Sequence, residues 1–443
     1  MKTLPRGWTE TIIGDVCAVV SGSTPKTSEP SYWGGDVSWV TPDDLARHTN
    51  KFISRGRRSI SRLGLASCSA RIVPPGTVLF TSRAPIGYTA IAAAALCTNQ
   101  GFKSLVPPPG ISSDFIYWYL KYATPMIQSR ASGTTFAEIS ARGMSSIPLP
   151  LPPTREQKRI VAAIEEQFSR IDAGIAGLER ARANLRRFRV SALESLLSAL
   201  GPSAKPRRLA ELLVVPLANG RSVPDGPNGG FPVLRLTSIR NGLVDRRESK
   251  SGAWTAREAS PYVAHDGDFL VIRGNGSLRL VGRGGLVHGE PGVAFPDTLI
   301  RVRLNLSAVD PEYLRLVWDS RAVRRQIESA ARTTAGIHKI NQRSLEQVVL
   351  ALPSLNSQRE LSSVIARIDA YGADTARVIE SAWTRARRLR AAILSSAFAG
   401  ELVPQDPQDE PAVALVDRIA LGRPPIKKRG IPTTSKHPTE LSA

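Results

Sequence analysis

A long internal repeat decides how this 443-residue sequence is organised. Its first copy runs from Ile139 to Leu193 and reads ISARGMSSIPLPLPPTREQKRIVAAIEEQFSRIDAGIAGLERARANLRRFRVSAL. The second copy starts at Ile340, an offset of 201 residues, and reads INQRSLEQVVLALPSLNSQRELSSVIARIDAYGADTARVIESAWTRARRLRAAIL. A period near half the chain is too long for a solenoid. It predicts two copies of one large unit, each a globular domain followed by a shared terminal element.

The shared element has the features of a long helix. In the first copy, prolines at 148, 150, 152 and 153 force an extended approach. Thr154 then stands three residues before Gln157, which is a capping-box spacing. No proline follows until Gly201-Pro202, which ends the run. Apolar residues recur every seven positions and predict a coiled-coil seam, formed by Ile164, Ile171, Leu178 and Leu185.

The second copy predicts an equivalent helix, which is proline-free from about Leu355 to Phe398. Its seam row consists of Leu361, Ile368, Ala382 and Leu389. Each helix of about 45 residues would be about 65–70 Å long. The alternative is two independent helices, each packed on its own domain, but most of such a helix would extend beyond a domain of about 150 residues. Pairing the two seams with each other buries both.

The rest of the sequence predicts an α+β protein with two mixed α/β domains. Both are rich in short β-like runs separated by Gly and Pro, and each ends in a helical stretch, at 114–128 and 312–331. We therefore expect domains at 1–150 and 206–350, separated by a central helix at 151–201 and followed by a second helix at 351–403. Residues 404–443 are predicted to be a mostly disordered basic tail with one short helical candidate, at 412–420.

The charge of the chain favours a polyanionic partner. There are 59 Lys and Arg against 38 Asp and Glu, for a formal net charge of +21. Nucleic acid is the first candidate, although a generic basic protein from an Arg-rich proteome is the alternative. Three Cys without a CxxC pair argue against a disulfide scaffold or a cysteine zinc site. No apolar run approaches the length of a membrane span, and no signal peptide is visible, so we expect a cytoplasmic protein.

Motifs for catalysis are weak or missing, which predicts a binding protein without a cofactor or a metal site. There is no phosphate-binding loop or dinucleotide fingerprint, and the five His have no ligand spacing. The segment 310–313 differs from a methyltransferase tetrapeptide because Glu312 replaces a proline. A stand-alone nuclease using Asp225, Glu248 and Lys250 is the rival from another class, and a DNA-binding scaffold without sequence preference is a third possibility.

Candidate DNA contacts gather in polar loops of both domains. Arg can bond a guanine edge with two hydrogen bonds, Asn can do so with adenine, and Ser or Thr can serve a base edge or a phosphate. In the first domain the candidates are Lys26, Tyr32, Arg57, Arg58 and Arg83. In the second domain they are Arg240, Arg273, Asn275, Ser277, Arg279 and Arg283. For any single one of them, a solvated surface turn is the alternative.

Two series of short segments follow one another along nearly the whole chain. The first domain and its helix contain GSTP at 22–25, YWGG at 32–35, WVTPDDL at 39–45, LPLPP at 149–153 and EQKRIV at 156–161. The second half contains GDFL at 267–270, RGNGS at 273–277, PDTLIRV at 296–302, LRAAIL at 389–394 and AFAGELV at 397–403. With these segments in this order, the sequence resembles the specificity subunits of type I restriction–modification systems, in which two target recognition domains alternate with two long helices. The start of the second helix, NSQRE at 356–360, is a weaker match.

The resemblance implies a non-catalytic subunit for DNA recognition. In that family each target recognition domain reads one half of a split double-stranded DNA sequence, and the two helices form an antiparallel coiled coil that sets the gap between the halves. Two modification subunits, which carry the methylation chemistry, dock on this frame, and restriction subunits join them. The resemblance therefore implies that this chain binds no cofactor of its own. The lack of a long apolar run separately predicts no membrane association.

Overall fold

A computed structural model describes residues 4–132, 137–226, 230–290, 292–334 and 336–422. The strands, in chain order, are β1 (Thr9–Ile12), β2 (Ala18–Ser21), β3 (Trp33–Val40), β4 (Phe52–Ile53), β5 (Arg58–Ile60), β6 (Val78–Phe80), β7 (Thr89–Ala92), β8 (Cys97–Thr98), β9 (Lys103–Val106), β10 (Pro148–Leu151), β11 (Lys205–Arg208), β12 (Ala218–Asn219), β13 (Pro232–Leu234), β14 (Ile239–Arg240), β15 (Leu243–Val244), β16 (Ser249–Ser251), β17 (Phe269–Ile272), β18 (Gly274–Asn275), β19 (Gly284–Leu286), β20 (Leu299–Val302), β21 (Arg332–Thr334), β22 (Ile337–Lys339) and β23 (Val349–Leu352).

The α-helices are α1 (Ile13–Val16), α2 (Pro42–Ala46), α3 (Arg62–Ala66), α4 (Ser113–Ser129), α5 (Ala141–Ser145), α6 (Thr154–Ala199), α7 (Ala256–Ala259), α8 (Pro311–Trp318), α9 (Arg321–Ala330), α10 (Gln342–Glu346), α11 (Leu355–Phe398) and α12 (Ala412–Leu421). Short 3-10 turns occupy Pro30–Tyr32, Gly201–Ser203, Leu209–Leu212, Leu236–Ser238 and Ser260–Tyr262. Among the described residues, no helix combines the length and the apolar character needed to cross a bilayer.

The chain forms two compact units. Unit 1 comprises residues 1–176 and 382–443, and unit 2 comprises residues 177–381. Each predicted globular domain falls within one unit, and each long helix contributes one part to unit 1 and the other part to unit 2. The mixed helix and strand content of both units confirms the predicted α+β class.

Unit 1 is built on a five-stranded sheet with the order β2-β9-β6-β7-β4 and a smaller sheet with the order β5-β3-β8. A separate ladder pairs β1 with β10, from Thr9 opposite Leu151 to Ile12 opposite Pro148. The helix α4 packs on β6 and β7 and buries Phe115, Ile116 and Leu120 completely. The apolar face of α4 therefore covers the central strands, and the start of α6 joins the same core through its buried isoleucines at 160 and 164.

Unit 2 repeats this arrangement on its own core. Its main sheet has the order β12-β20-β17-β19-β15-β14, and β11 pairs with β23 as β1 pairs with β10. The helix α8 begins with the N-cap Asp310 followed by proline and buries Tyr313, Leu314 and Trp318 against the sheet. The segment 310–313 is thus an ordinary helix start, in agreement with its poor match to a methyltransferase motif.

The same buried glutamine joins the globular part to the long helix in both units. In unit 1, Gln157 Oε1 accepts from the backbone N–H of Ser112 at 2.9 Å, and its Nε2 donates to the carbonyl of Pro152 at 3.1 Å. In unit 2, Gln358 accepts from Asp310 N–H at 2.8 Å and donates to Pro353 O at 2.9 Å. The repeat seen in the sequence is therefore a repeat of interactions as well.

The two long helices run antiparallel to each other within each unit. In unit 2, Arg189 makes a two-bond ion pair with Asp369, one bond being 3.1 Å, and further along α6 Leu193 packs with Ile365. In unit 1, Arg390 pairs with Asp172 and lies 5.3 Å from the centre of the Phe168 ring. Residue numbers rise on α6 as they fall on α11, which confirms the predicted antiparallel helix pair.

The predicted seam residues are buried to different degrees. Ile164 is fully buried, whereas Ile171, Leu178, Leu185, Ile368 and Ala382 are half-buried. Leu361 is buried in the core of the second domain. Leu389 differs from the prediction because it is 48% exposed. The half-buried positions in this part of α11 are Ala382, Trp383, Ala386 and Arg390, and Ile393 beyond them is buried. A strict seven-residue row drifts around a straight helix of 3.6 residues per turn, and here the row through Leu389 lies one residue away from the buried face.

Part of the segment predicted to be mostly disordered is folded on unit 1. The N–H of Ala412 donates to the carbonyl of Gly7 at 2.9 Å, and Ala412 and Leu415 of α12 are buried. Asp409 is almost completely buried and forms a 2.8 Å ion pair with Arg159. Composition did not reveal these contacts, because the binding surface is provided by residues far away in the sequence. The rest of the predicted tail, 423–443, lies outside the described residues.

Candidate nucleic-acid interface

Three loops leave the main sheet of unit 1 at the same end. The strand β2 ends at Ser21 opposite Lys103, the first residue of β9, and β6 runs toward the same end because Val78 pairs with Leu105. The loops 22–32, 81–88 and 99–102 therefore form one surface, which we call the strand-end surface. Lys26, Tyr32 and Arg83 all belong to it.

The strand-end surface of unit 2 is built in the same way. The strand β12 ends at Asn219 opposite Ile300, and β17 ends at Ile272 opposite Leu299. The segment after β12, the segment after β17 and the segment before β20 therefore meet at one end of the sheet. Five of the six predicted contacts of the second domain lie on the loop 273–283, namely Arg273, Asn275, Ser277, Arg279 and Arg283.

Indole groups hold the first loop of unit 1 in place. Trp39 Nε1 donates to the carbonyl of Ser23 at 3.0 Å, and Trp33 Nε1 donates to the carbonyl of Lys26 at 3.3 Å. The guanidinium of Arg58 lies 3.7 Å from the centre of the Trp33 ring. The structure thus brings the predicted residues Lys26, Tyr32 and Arg58 together around Trp33, and it leaves the ammonium group of Lys26 exposed.

Arg57 points into an acidic setting. Its Nε donates to Asp44 Oδ1 at 3.0 Å, and its Nη2 pairs with Asp43. Burial alone would raise the pKa of Asp44, but hydrogen bonds from Thr41 and Arg57 outweigh burial and leave that pKa below its usual value. The Asp44 carboxylate is therefore ionised at neutral pH, and Asp44 and Asp43 together hold Arg57 against the wall of a groove of about 680 Å³, which Arg55 and Arg58 also line.

Arg83 belongs to a second cluster on the strand-end surface of unit 1. Its Nη1 lies 3.5 Å from Glu138 Oε2, and the buried Lys103 donates to Glu138 Oε1 at 3.1 Å. The backbone N–H of Ile139 donates to the carbonyl of Ser82 at 3.1 Å, which fixes Glu138 beside this loop. Arg83 and Lys103 thus share the single carboxylate of Glu138, so the cluster keeps a net positive charge that can attract an anion.

In unit 2 the equivalent place is a cationic cleft of about 340 Å³. The N–H of Ile340 donates to the carbonyl of Arg273 at 2.8 Å, as Ile139 does to Ser82. This contact places Lys339 at the position that Glu138 has in unit 1. Arg273, Asn275 and Lys339 line the cleft together with Asp297. The Asn275 side chain accepts from Ser277 N–H at 2.9 Å, a turn that shapes this loop.

The other predicted residues of unit 2 lie apart from the cleft or are paired. Arg283 Nε donates to the carbonyl of Arg279 at 3.1 Å, and its Nη1 lies 3.8 Å from Asp319. Arg279 itself is exposed. Arg240, on the edge strand β14, donates to Glu248 at 2.8 Å and is outside the three loops.

The sequence interpretation missed Lys103, Glu138 and Lys339 as members of these clusters. Glu138 and Lys339 each immediately precede an isoleucine of the repeat, Ile139 and Ile340, so alignment of the two copies is the signal that pairs them. Lys103 offers no such signal, because its partner Glu138 is 35 residues away in the chain and is brought near by the fold.

The geometry does not support the nuclease alternative. Lys250 is tied to Asp225 at 2.5 Å and to the carbonyl of Val223 at 3.0 Å. Glu248 instead accepts from Thr237 at 2.7 Å and from Arg240. Within the described part of the chain, His, Cys, Asp and Glu side chains form no group of three that could hold a metal ion.

Comparison with known proteins points to one family. Residues 5–177 match the type I restriction modification DNA specificity domain. The type I restriction enzyme EcoKI specificity subunit from Escherichia coli is 27% identical over 453 residues, which cover 95% of this chain and 96% of that protein. The MjaIX specificity subunit from Methanocaldococcus jannaschii is 41% identical over 163 residues, which are 36% of this chain and 38% of that protein.

Solved structures agree with the fold. A chain in a structure of a type I R-M system has a TM-score of 0.68 at 20% identity and matches over 90% of this chain and 99% of its own length. The HsdS subunit from Thermoanaerobacter tengcongensis has a TM-score of 0.54 at 21% identity, over 90% of this chain and 98% of its own length. Together, these matches show that residues 5–177 belong to the type I restriction modification DNA specificity domain, that nearly the whole chain is similar in sequence to a type I specificity subunit, and that the chain shares the fold of such subunits.

Proposed function

We propose that this chain binds a bipartite DNA sequence and that each repeat domain reads one half of it. The observation that carries the proposal is the recurrence of a positively charged strand-end surface at the same place in both units. In unit 1 this surface carries Arg83, and the buried Lys103 binds the same carboxylate as Arg83 does. In unit 2 it carries Arg273, and Lys339 lines the same cleft as Arg273 does. Two equivalent surfaces with different side chains suit two half-sites of different sequence.

The long helix pair is proposed to serve as the spacer between the two readers. The helices contain 46 and 44 residues, and ion pairs bridge them within each unit, at Asp172–Arg390 and Arg189–Asp369. A helix pair resists bending more than a loop connection does, so the distance between the half-sites would be set by helix length.

The proposed partners are double-stranded DNA, two modification subunits that carry out methylation, and restriction subunits. We propose that this chain contributes recognition and assembly and no catalytic step, and that it needs no cofactor of its own. The cytoplasmic location remains a prediction from the sequence.

The predicted DNA-contacting residues divide by what already holds them. Lys26, Tyr32, Arg58, Asn275, Ser277 and Arg279 form no ion pair with the described residues and are proposed to face DNA directly. Arg57 and Arg240 are each paired with carboxylates, and they are proposed to shape the surface or to exchange partners on binding. Arg83, Arg273 and Arg283 supply the positive potential that attracts phosphates.

The direct test is selection from a random DNA pool by the full chain assembled with its modification subunits. We expect an enriched sequence with two conserved blocks separated by a gap of constant length. The affinity should fall with salt by about 0.9 in log–log slope for each neutralised phosphate. Arg273→Ala is expected to relax one block only, and Arg257→Ala, an exposed arginine on α7 outside the three loops, is the matched control. Enrichment without two blocks, or a flat salt response, would contradict the proposal.

A further inference from the structure

Each unit ties two loops of its strand-end surface together by a hydroxyl group and a longer polar side chain. In unit 1 the hydroxyl of Thr24 donates to Oε1 of Gln100. In unit 2 the hydroxyl of Ser222 donates to Oδ1 of Asp297 at 2.5 Å. None of these four side chains was among the candidates that the sequence suggested.

The two side-chain pairs occupy equivalent positions in the fold. The N–H of Ser23 donates to the carbonyl of Thr98 at 2.9 Å, and the N–H of Arg221 donates to that of Phe295 at 3.3 Å. The glycine before each donor passes very close to the opposite loop. A Cβ at Gly22 would lie 2.0 Å from the carbonyl oxygen of Asn99, and a Cβ at Gly220 would lie 2.0 Å from that of Phe295. In unit 1 the accepting carbonyl belongs to Thr98, and Gln100 lies two residues after it. In unit 2 the accepting carbonyl belongs to Phe295, and Asp297 lies two residues after it.

In each pair the hydroxyl donates to one oxygen of the amide or carboxylate, and the other terminal atom of that amide or carboxylate stays available for a ligand. In the described part of the chain, the Nε2 of Gln100 and the second carboxylate oxygen of Asp297 have no hydrogen-bond partner. Gln100 is exposed and Asp297 is half-buried at the cleft that Arg273 and Lys339 line. Each pair therefore presents an oriented polar edge at the surface proposed to meet DNA.

The chemistry of the two edges differs in a way that DNA bases can distinguish. An amide offers a donor beside an acceptor, which matches N7 and the amino group of adenine in the major groove. A carboxylate offers acceptors only, which match the amino group of cytosine and repel the acceptors N7 and O6 of guanine. Main-chain hydrogen bonds already join the loops, so the side-chain pairs are not required to hold them together.

We propose that Gln100 and Asp297 are equivalent specificity-determining residues, Gln100 reading an adenine in the first half-site and Asp297 reading a cytosine in the second, with Thr24 and Ser222 as positioning residues. This inference rests on the proposed function. The nearby Arg273 and Lys339 offset the repulsion between the Asp297 carboxylate and the DNA phosphates. The carboxylate therefore weakens binding mainly where the base opposite it offers only acceptors.

The test is an exchange of the acceptors, again by selection from a random DNA pool with the assembled complex. Asp297→Asn keeps the shape but adds a donor, and it should move the preference at one position of the second half-site from cytosine to adenine. The change in relative affinity should be about 5- to 150-fold, the range expected for one base-specific contact. Gln100→Glu should make the opposite change in the first half-site only.

Positioning variants separate base reading from loop support. Ser222→Ala should reduce discrimination at the same position without changing the preferred base, and Ser222→Thr should restore it. If Asp297→Asn binds with an unchanged base preference, or loses affinity equally for all sequences, the inference is overturned. If the wild-type complex itself enriches no sequence, the proposed function fails instead, so the two failures are distinguishable.

Discussion

The buried glutamines at the joints between domain and helix allow a prediction whose size follows from the structure. Gln157→Leu keeps the approximate volume of the side chain but removes both of its hydrogen bonds. The carbonyl of Pro152 is buried and would lose its donor, at a cost of about 1–3 kcal/mol. The N–H of Ser112 is only partly buried and would add about 0.5–1.5 kcal/mol. We therefore expect a loss of about 1.5–4.5 kcal/mol in the free energy of unfolding of unit 1.

The equivalent change in unit 2 should cost somewhat more. Gln358 makes a third hydrogen bond, in which its Nε2 donates to the carbonyl of Ala308 at 3.0 Å. One buried and two partly buried bonds are lost in Gln358→Leu, which corresponds to about 2–6 kcal/mol. Each variant is expected to affect mainly its own unit, because the lost partners belong to that unit alone.

Hydrogen exchange measured by mass spectrometry on the full chain can resolve the two units. Gln157→Leu should reduce protection in the peptides around α4, and Gln358→Leu should reduce it in those around α8. Gln347→Leu, at an exposed position after α10, is the matched control and should change protection little. A loss below about 0.5 kcal/mol in both buried variants would refute the reasoning, because it would mean that water satisfies these groups.

Three further predictions follow from the long helices and their surroundings. Insertion of seven residues into both α6 and α11 lengthens each helix by about 10.5 Å, so the gap in the selected DNA sequence should grow by about three base pairs; an unchanged gap would exclude the spacer role. Phe398→Ala removes a buried ring whose centre lies 5.1–5.5 Å from those of Phe115, Tyr119 and Tyr122, so it should lower the free energy of unfolding in urea by about 3–5 kcal/mol. Leu389 is exposed, so Leu389→Ala should change that free energy by no more than about 0.5 kcal/mol. Similar losses for both variants would show that Leu389 belongs to the buried seam. Burial raises the pKa of Glu156 above its usual value despite hydrogen bonds from Trp8 and Gln405, so the protonated carboxyl stabilises the fold at a pH below the ordinary glutamate pKa, and this stabilisation is lost as the pH rises through the folded-state pKa. Glu156→Gln should therefore be at least as stable as the wild type at neutral pH. If the difference between the unfolding free energies of variant and wild type does not shrink on acidification, this prediction is contradicted.

Features that depend on spacing along the chain could be predicted from the sequence. The offset between Ile139 and Ile340 indicated two equivalent units, and the proline-free heptad runs indicated the two long helices, because helix periodicity is a local property. The same local reasoning was wrong at Leu389. A strict seven-residue row assumes 3.5 residues per turn, so it drifts around a helix of 3.6 residues per turn. Near the end of α11 the buried face passes through Trp383, Ala386, Arg390 and Ile393, one residue away from Leu389.

Only the tertiary structure decided which polar groups are free to bind and which are already paired. Arg57 and Arg58 are neighbours in the sequence, yet one is held by Asp43 and Asp44 and the other lies over Trp33. Successive residues of an extended segment point to opposite sides, so they meet different partners. Asp297 faces Ser222 across 75 residues of chain for a similar reason, since strand register brings loops together that no local pattern connects.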